Sequence, residues 1–189
     1  MAYIPEILNY KPFYIQTDAD SEAIDTTEWG LVAKANPYPL LPTPKQPYKN
    51  EWLDEDGDDE YNAQMHYEAI EFDVSFYIKT FDEQLIVPMS IPGDTQIQPS
   101  LHKFTAEGKM RTQIEAFFAK IKNGEFMIYD SYTGIGRRGV RYAGYKEDSY
   151  KRRDSFPNGW ARAVFTVTFK VNDPITRIIP INGKLREEI

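Results

Sequence analysis

Between Ala163 and Val171 every second residue is apolar (Ala163, Phe165, Val167, Phe169, Val171), and Thr166, Thr168 and Lys170 stand among them. A period of two over this length predicts a strand with one face on a core and the other in water. The alternation recurs at Ile70, Phe72, Val74, Phe76 and Ile78, interleaved with Glu71, Asp73, Ser75, Tyr77 and Lys79. Shorter apolar runs predict further strands over 12–17, 29–33, 84–88, 125–130 and 137–145, with Pro88 confined to a strand end or a sheet edge. Residues 18–28 are acidic and turn-prone, and 91–108 read as loop. Residues 131–136 read as a turn and 146–154 as a polar connection, and Asn158-Gly159 is a tight-turn signal before the last strand.

From Lys109 to Asn123 the period shifts to near 3.6. Met110, Ile114, Phe117, Phe118 and Ile121 share one face of a helix of about four turns, with Lys109, Arg111, Gln113, Lys120 and Lys122 mostly opposite. Asn123-Gly124 supplies a left-handed end, and Lys120 and Lys122 complement the negative pole of the dipole. Pro37, Pro39, Pro42, Pro44 and Pro47 forbid regular structure and predict an extended arm. The connection over 35–64 is long for a compact domain, a length that signals either function or disorder, and we expect an arm that packs on a neighbour. About seven strands and one helix, with no internal repeat and no strand–helix alternation, indicate a mainly β fold. The expectation is an antiparallel β-sandwich or half-barrel flanked by one α-helix, a single domain over 1–189 with the arm at 35–64 and a C-terminal extension at 175–189.

Composition narrows the class. With 189 residues, 41% hydrophobic and 14% aromatic, the chain can bury a core without staples and is too apolar for disorder. No run approaches the roughly 18 apolar residues of a membrane helix. The start, Met1-Ala2-Tyr3-Ile4-Pro5, lacks the basic and apolar regions of a signal peptide, so synthesis in a cytoplasm, with no membrane partner, is expected. The absence of cysteine removes disulfides, thiol catalysis and cysteine zinc sites. Net charge is −7, unevenly spread: residues 1–100 carry 5 Lys and Arg against 19 Asp and Glu, and residues 101–189 carry 17 against 10. The acidic total argues against a general nucleic-acid binder. The split suits complementary surfaces that meet between copies, although sequence halves need not be spatial halves.

Candidate chemistry is sparse. His66 and His102 are the two histidines, and neither has a nucleophile elbow near it. No catalytic, cofactor-binding or metal-binding residue is assigned. The acidic run Asp54-Glu55-Asp56-Gly57-Asp58-Asp59-Glu60 suggests calcium. Aligning Gly57 with the glycine of an EF-hand loop, however, puts Trp52 and Ala63 where carboxylates are needed, and a solvated loop tip fits better. A basic cluster follows the helix: Arg137, Arg138, Arg141, Lys146, Lys151, Arg152 and Arg153, interleaved with Tyr142, Tyr145 and Tyr150. Such residues can grip phosphates and stack bases, or hold carboxylates of a neighbouring copy. The second reading is favoured because the chain carries its own acidic counterpart. Arg137, Arg138 and Arg141 are therefore expected to meet Asp54, Asp56, Asp58 and Asp59 between subunits. Gly134-Ile135-Gly136 is no phosphate loop, since it lacks a third glycine and opens no helix.

The order helix, Asn123-Gly124, strand, Tyr129-Asp130, long hairpin, and the strand from Phe165 to Val171 leaving through Asn172-Asp173-Pro174 resembles the tail-tube-like domain of bacteriophage distal tail proteins. Glu28-Trp29-Gly30-Leu31, the proline arm and the acidic loop from Trp52 to Tyr61 are similar to the early hairpin and long loop of such ring-forming subunits. The resemblance spans roughly residues 28–174. It implies a structural virion protein that self-assembles into a six-membered ring of the tail tube or distal tail/baseplate hub. Its partners would be copies of itself and other phage tail proteins, with genomic DNA only as passing cargo through a channel suited to net negative charge. Because the sequence ends at Ile189, the resemblance is expected to stop short of the second, carbohydrate-binding-like domain of larger distal tail proteins. The competing expectation is a monomeric β-sandwich carbohydrate-binding module using Trp29, Trp52 or Trp160. A carboxylate hydrolase is a third reading with no assignable acid–base pair.

Overall fold

The computed structural model describes residues 12–19, 21–34, 42–45, 49–50, 59–60, 66–90, 97–155 and 158–188, and for 49–50, 59–60, 84–90 and 97–104 the backbone alone. In chain order the strands are β1 (Phe13–Gln16), β2 (Ile24–Asp25), β3 (Leu31–Ala33), β4 (Lys49–Asn50), β5 (Asp59–Glu60), β6 (Ile70–Phe81), β7 (Glu83–Ser90) and β8 (Ile97–Phe104). The helix α1 (Ala106–Ile121) follows, then β9 (Phe126–Asp130), β10 (Ile135–Arg153), β11 (Trp160–Val171), β12 (Ile178–Ile181) and β13 (Lys184–Glu187).

Seven strands form one antiparallel sheet in the order β2-β1-β9-β10-β11-β6-β3. Its centre is the in-register pair β6–β11, where Phe72 faces Phe169, Val74 faces Val167 and Phe76 faces Phe165. These inward residues are buried, while Glu71, Lys79, Arg162 and Lys170 on the alternate positions are exposed. The two alternating runs of the sequence thus become neighbouring strands of one sheet, as their period requires.

The sheet is not flat. β1 and β6 stand four strand spacings apart, about 19 Å if the sheet were planar. Yet the rings of Phe13 on β1 and Phe76 on β6 meet edge-to-face with centroids 5.8 Å apart. The sheet therefore curls over its own core into a half-barrel, and α1 lies along the concave side. Phe117 of α1 is fully buried against Phe76 (5.2 Å) and Trp29 (5.7 Å). Ala106, Met110 and Ile121 are buried on the same helix face, and Ile114 and Phe118 are partly so. The expected fold, an antiparallel half-barrel flanked by one helix, is the observed one.

Several boundaries differ from expectation. Trp29 lies in a 3₁₀ turn over Thr26–Trp29, not in a strand, because Gly30 at φ 70° is left-handed and donates its N–H back to Thr26 and Thr27. The stretch 91–108 contains β8 and the first turn of α1. The helix starts earlier than its hydrophobic stripe because Thr105 caps it, accepting from the Gly108 N–H at 3.2 Å. Pro88 sits inside β7 opposite Pro99 of β8, which a two-stranded sheet tolerates since both strands are edges. Residues 146–153 continue β10 instead of forming a connection. Of the proline arm, Pro44 bridges to Tyr67; most of 35–64 lies outside the described residues.

The C-terminal extension is a second hairpin, β12–β13, turning at Asn182 (φ 50°) and Gly183 (φ 75°). Ile178 and Leu185 bury themselves where this hairpin crosses β9 and β10. Gln16, itself buried, accepts from the Leu185 N–H at 2.6 Å. The crossing is so close that a Cβ at Gly136 would stand 2.1 Å from the Ile178 carbonyl oxygen.

Candidate functional site

The described residues contain no group of three or more His, Asp or Glu side chains placed to hold a metal. His66 is exposed, and its carbonyl accepts from the Lys45 N–H at 2.8 Å. His102 lies on β8 opposite Leu85. Asp54, Asp56 and Asp58 fall outside the described residues, while the backbone of Asp59 pairs with Asn50. Trp52 also lies outside them, and Trp29 packs edge-on against Phe117.

The basic cluster is spread along β10 and divided by it. At the β12–β13 end, Arg138 donates to Asp173 at 2.6 Å and to Glu187. Arg141 donates through Nε (2.9 Å) and Nη2 (2.6 Å) to one oxygen of Glu125. Arg137 is half-buried, donates to the Gly136 carbonyl at 2.9 Å and has Arg177 opposite it. Burial first, and then the like charge of Arg177, lower its pKa. Burial pushes the Asp173 carboxyl up. The Arg138 guanidinium and the N–H groups of Thr176 and Ile175 outweigh this and hold it below the usual aspartate value. Asp173 therefore has a definite task in the Asn172-Asp173-Pro174 exit, because it turns the chain from β11 towards β12.

The other end of β10 lies roughly 40 Å along the strand. There the alternation of the pleat separates neighbours in sequence. Arg152 faces α1 and donates to Glu107 at 2.7 Å, an ion pair that lowers the Glu107 pKa at the helix N-terminus. Lys151 and Arg153 lie on the opposite, convex face, beside Arg162 and Trp160 of β11. Trp160 and Arg162 in turn lie beside Phe81 and Lys79 of β6. Lys79 Nζ stands 5.0 Å from the Phe81 ring centre and 5.9 Å from that of Trp160, and the Arg162 guanidinium carbon is 6.0 Å from the latter. Residue pattern alone assigns no role to Lys79, Phe81 or Arg162. Two strands distant in sequence, β6 and β11, bring them together, and only the register shows it.

Between these ends runs a long open border. β9 pairs with β10 only as far as Val140, opposite Phe126. From Arg141 to Arg153, β10 pairs with β11 on one side, and among the described residues no strand pairs with the other. Bulges at Tyr142/Gly144 and Glu147/Ser149 interrupt the register. Tyr145 packs on Phe118 (5.3 Å) and Phe165 (5.6 Å) yet keeps 46% of its surface exposed, and Tyr150 keeps 38%. The border is open, and it carries exposed aromatic rings beside charged side chains.

The fold and this surface define a class: an antiparallel half-barrel with one helix and an overlong hairpin whose border no described strand pairs with. No protein-family model and no curated protein matches the chain. Among solved structures it is similar to the SPP1 Dit (gp 19.1) protein, described as a paradigm of the hub adsorption apparatus in Gram-positive infecting phages. The TM-score is 0.48 at 16% identity, covering 89% of this chain and 52% of that one. The chain thus spans about half the length of the protein it matches.

Proposed function

We propose that the chain is a structural protein of a bacteriophage tail. In this reading it self-assembles into a ring, six-membered by the family resemblance, of the tail tube or distal tail/baseplate hub, and DNA passes through as cargo. The observation that carries the self-assembly is the border of β10 from Arg141 to Arg153, which offers backbone donors and acceptors with no described strand to use them. Such a border templates pairing with another chain. Lys146, Glu147, Asp148 and Lys151 along it discourage indiscriminate pairing and leave a partner of matching charge. The element order of the resemblance, from α1 through β9 and the long hairpin to Asp173-Pro174, is also present in the structure.

The acidic residues Asp54, Asp56, Asp58 and Asp59 would supply one side of a contact between copies. Arg137, Arg138 and Arg141 are a candidate for the other, with Arg138 and Arg141 exchanging their internal carboxylates for those of the neighbour. The test is particle mass by light scattering after size exclusion, with negative-stain microscopy, at low and high salt. Closed rings or stacked tubes are expected. A chain that stays monomeric at every concentration, alone and with its tail partners, would overturn the reading.

A further inference from the structure

On the convex face of the sheet, four cations stand together. Lys79 faces Arg162 across β6–β11, and Lys151 and Arg153 face Arg162 and Trp160 across β10–β11. All four side chains are exposed. Among the described residues none of them makes an ion pair, whereas Lys109, Arg111, Arg138, Arg141, Arg152 and Lys170 each have a carboxylate partner. The carboxylates of this face lie farther along it and are engaged: Glu71 with Lys170, Asp73 with Thr168 and Asp148 with Thr166. Like charges set directly opposite one another repel, so the fold by itself gains nothing from this placement. Lys79 lies over the rings of Phe81 and Trp160 and Arg162 over that of Trp160, and Phe81 is 58% exposed.

The sequence contains a matching anion. Residues 51–60 carry seven carboxylates in ten positions and no cation, and Trp52 and Tyr61, on either side of six of them, bring rings able to stack beside Phe81. The backbone at the root of this segment is a hairpin, β4–β5. We propose that the patch of Lys79, Lys151, Arg153 and Arg162 around Phe81 and Trp160 is the socket for residues 51–60 of a second copy of this chain. The inference rests on the self-assembly reading and names its cationic partner. The two features are opposite in charge and lie on different parts of one chain. Each copy then gives an acidic hairpin to one neighbour and takes one from the other, the head-to-tail contact that closes a ring. The four cations have no carboxylate partner among the described residues, whereas Arg138 and Arg141 would first have to release Asp173, Glu187 and Glu125.

Charge-swap variants of the full chain provide the test. K79E/R162E and D54K/D56K/D58K are each expected to reduce the assembled particle to the mass of one chain, and the combined variant to recover assembly at least in part. K151E/R153E repeats the first arm should K79E/R162E fail to fold, with circular dichroism as the check. A fluorescein-labelled peptide of residues 50–61 is expected to bind the wild-type chain at low salt, with affinity falling by about tenfold or more in K79E/R162E. Assembly and peptide binding unchanged in K79E/R162E but lost in R138E/R141E would overturn the socket and leave the ring standing. A single-stranded oligonucleotide that binds the patch more tightly than the peptide would also overturn it. A wild-type chain that never assembles is the separate failure of the ring reading.

Discussion

Asp82 shows how one side chain can hold two elements. Its carboxylate accepts from the Ala106 N–H at 2.8 Å, at the first turn of α1, and from the Gly159 N–H at 2.9 Å, in the turn of the β10–β11 hairpin. Removing it leaves two partly buried donors unmet, and Asp82→Ala should destabilise by about 1–3 kcal/mol in urea unfolding, more than Thr105→Ala at about 1 kcal/mol. Equal losses would show that the hairpin link contributes nothing. Asp173 gives a pH signature. Its folded pKa is depressed, so its contribution is present above the ordinary aspartate range and is lost as pH falls through the lowered value. The thermal midpoint of the wild type should therefore drop on acidification below that range, and Asp173→Asn should be lower at neutral pH but lose part of this slope. Identical slopes would exclude the Asp173 cluster as a source.

Among the elements, α1 and the β12–β13 hairpin are the most exposed to single changes. Phe117 fills the hollow of the half-barrel, and Phe117→Ala should cost about 3–5 kcal/mol in chemical unfolding through lost burial and a cavity. A loss under about 1 kcal/mol would mean that the helix is not the lid of the core. At Gly136 the barrier is steric, because a methyl group would meet the Ile178 carbonyl. Gly136→Ala should lift β12 from β10, read as faster amide exchange in β12 and β13 with α1 unchanged. For β10, the amides from Arg141 to Arg153 that point away from β11 should exchange rapidly in dissociated protein and become protected on assembly. Protection that does not change would exclude this border as a place of pairing.

For the whole molecule, the relevant quantity is the uneven charge. Contacts between exposed unlike charges weaken as the Debye length shortens from about 10 Å at 0.1 M salt to about 3 Å at 1 M. Assemblies held by residues 51–60 against the convex patch should loosen over that range, while backbone pairing along β10 should resist it. The salt dependence of particle mass thus separates the two kinds of contact: a mass independent of salt assigns assembly to the strand border, and complete dissociation assigns it to charge.

Strand period, helix period and turn residues were legible because they are local. Two-residue alternation placed β6 and β11, the stripe from Met110 to Ile121 placed α1, and Gly124 marked its end. The Asn182-Gly183 signal for the last hairpin was equally local, but lay in a stretch read only as an extension. The stretch 146–153 did not look like a strand because both its faces are wet. It holds its conformation only through pairing with β11, whose own pattern is clear. What sequence could not contain is register and curl. Whether Lys79 meets Arg162 or Lys170 is set by the pairing of residues more than eighty positions apart, and one step of slip would turn every side chain to the other face. Amino-acid order determined a mainly β, antiparallel fold with one helix, because strand and helix periods are local. Tertiary structure decided which arginines are already neutralised and which cations gather on the convex face without a carboxylate among the described residues, because charges that attract or repel do so across space and not along the chain.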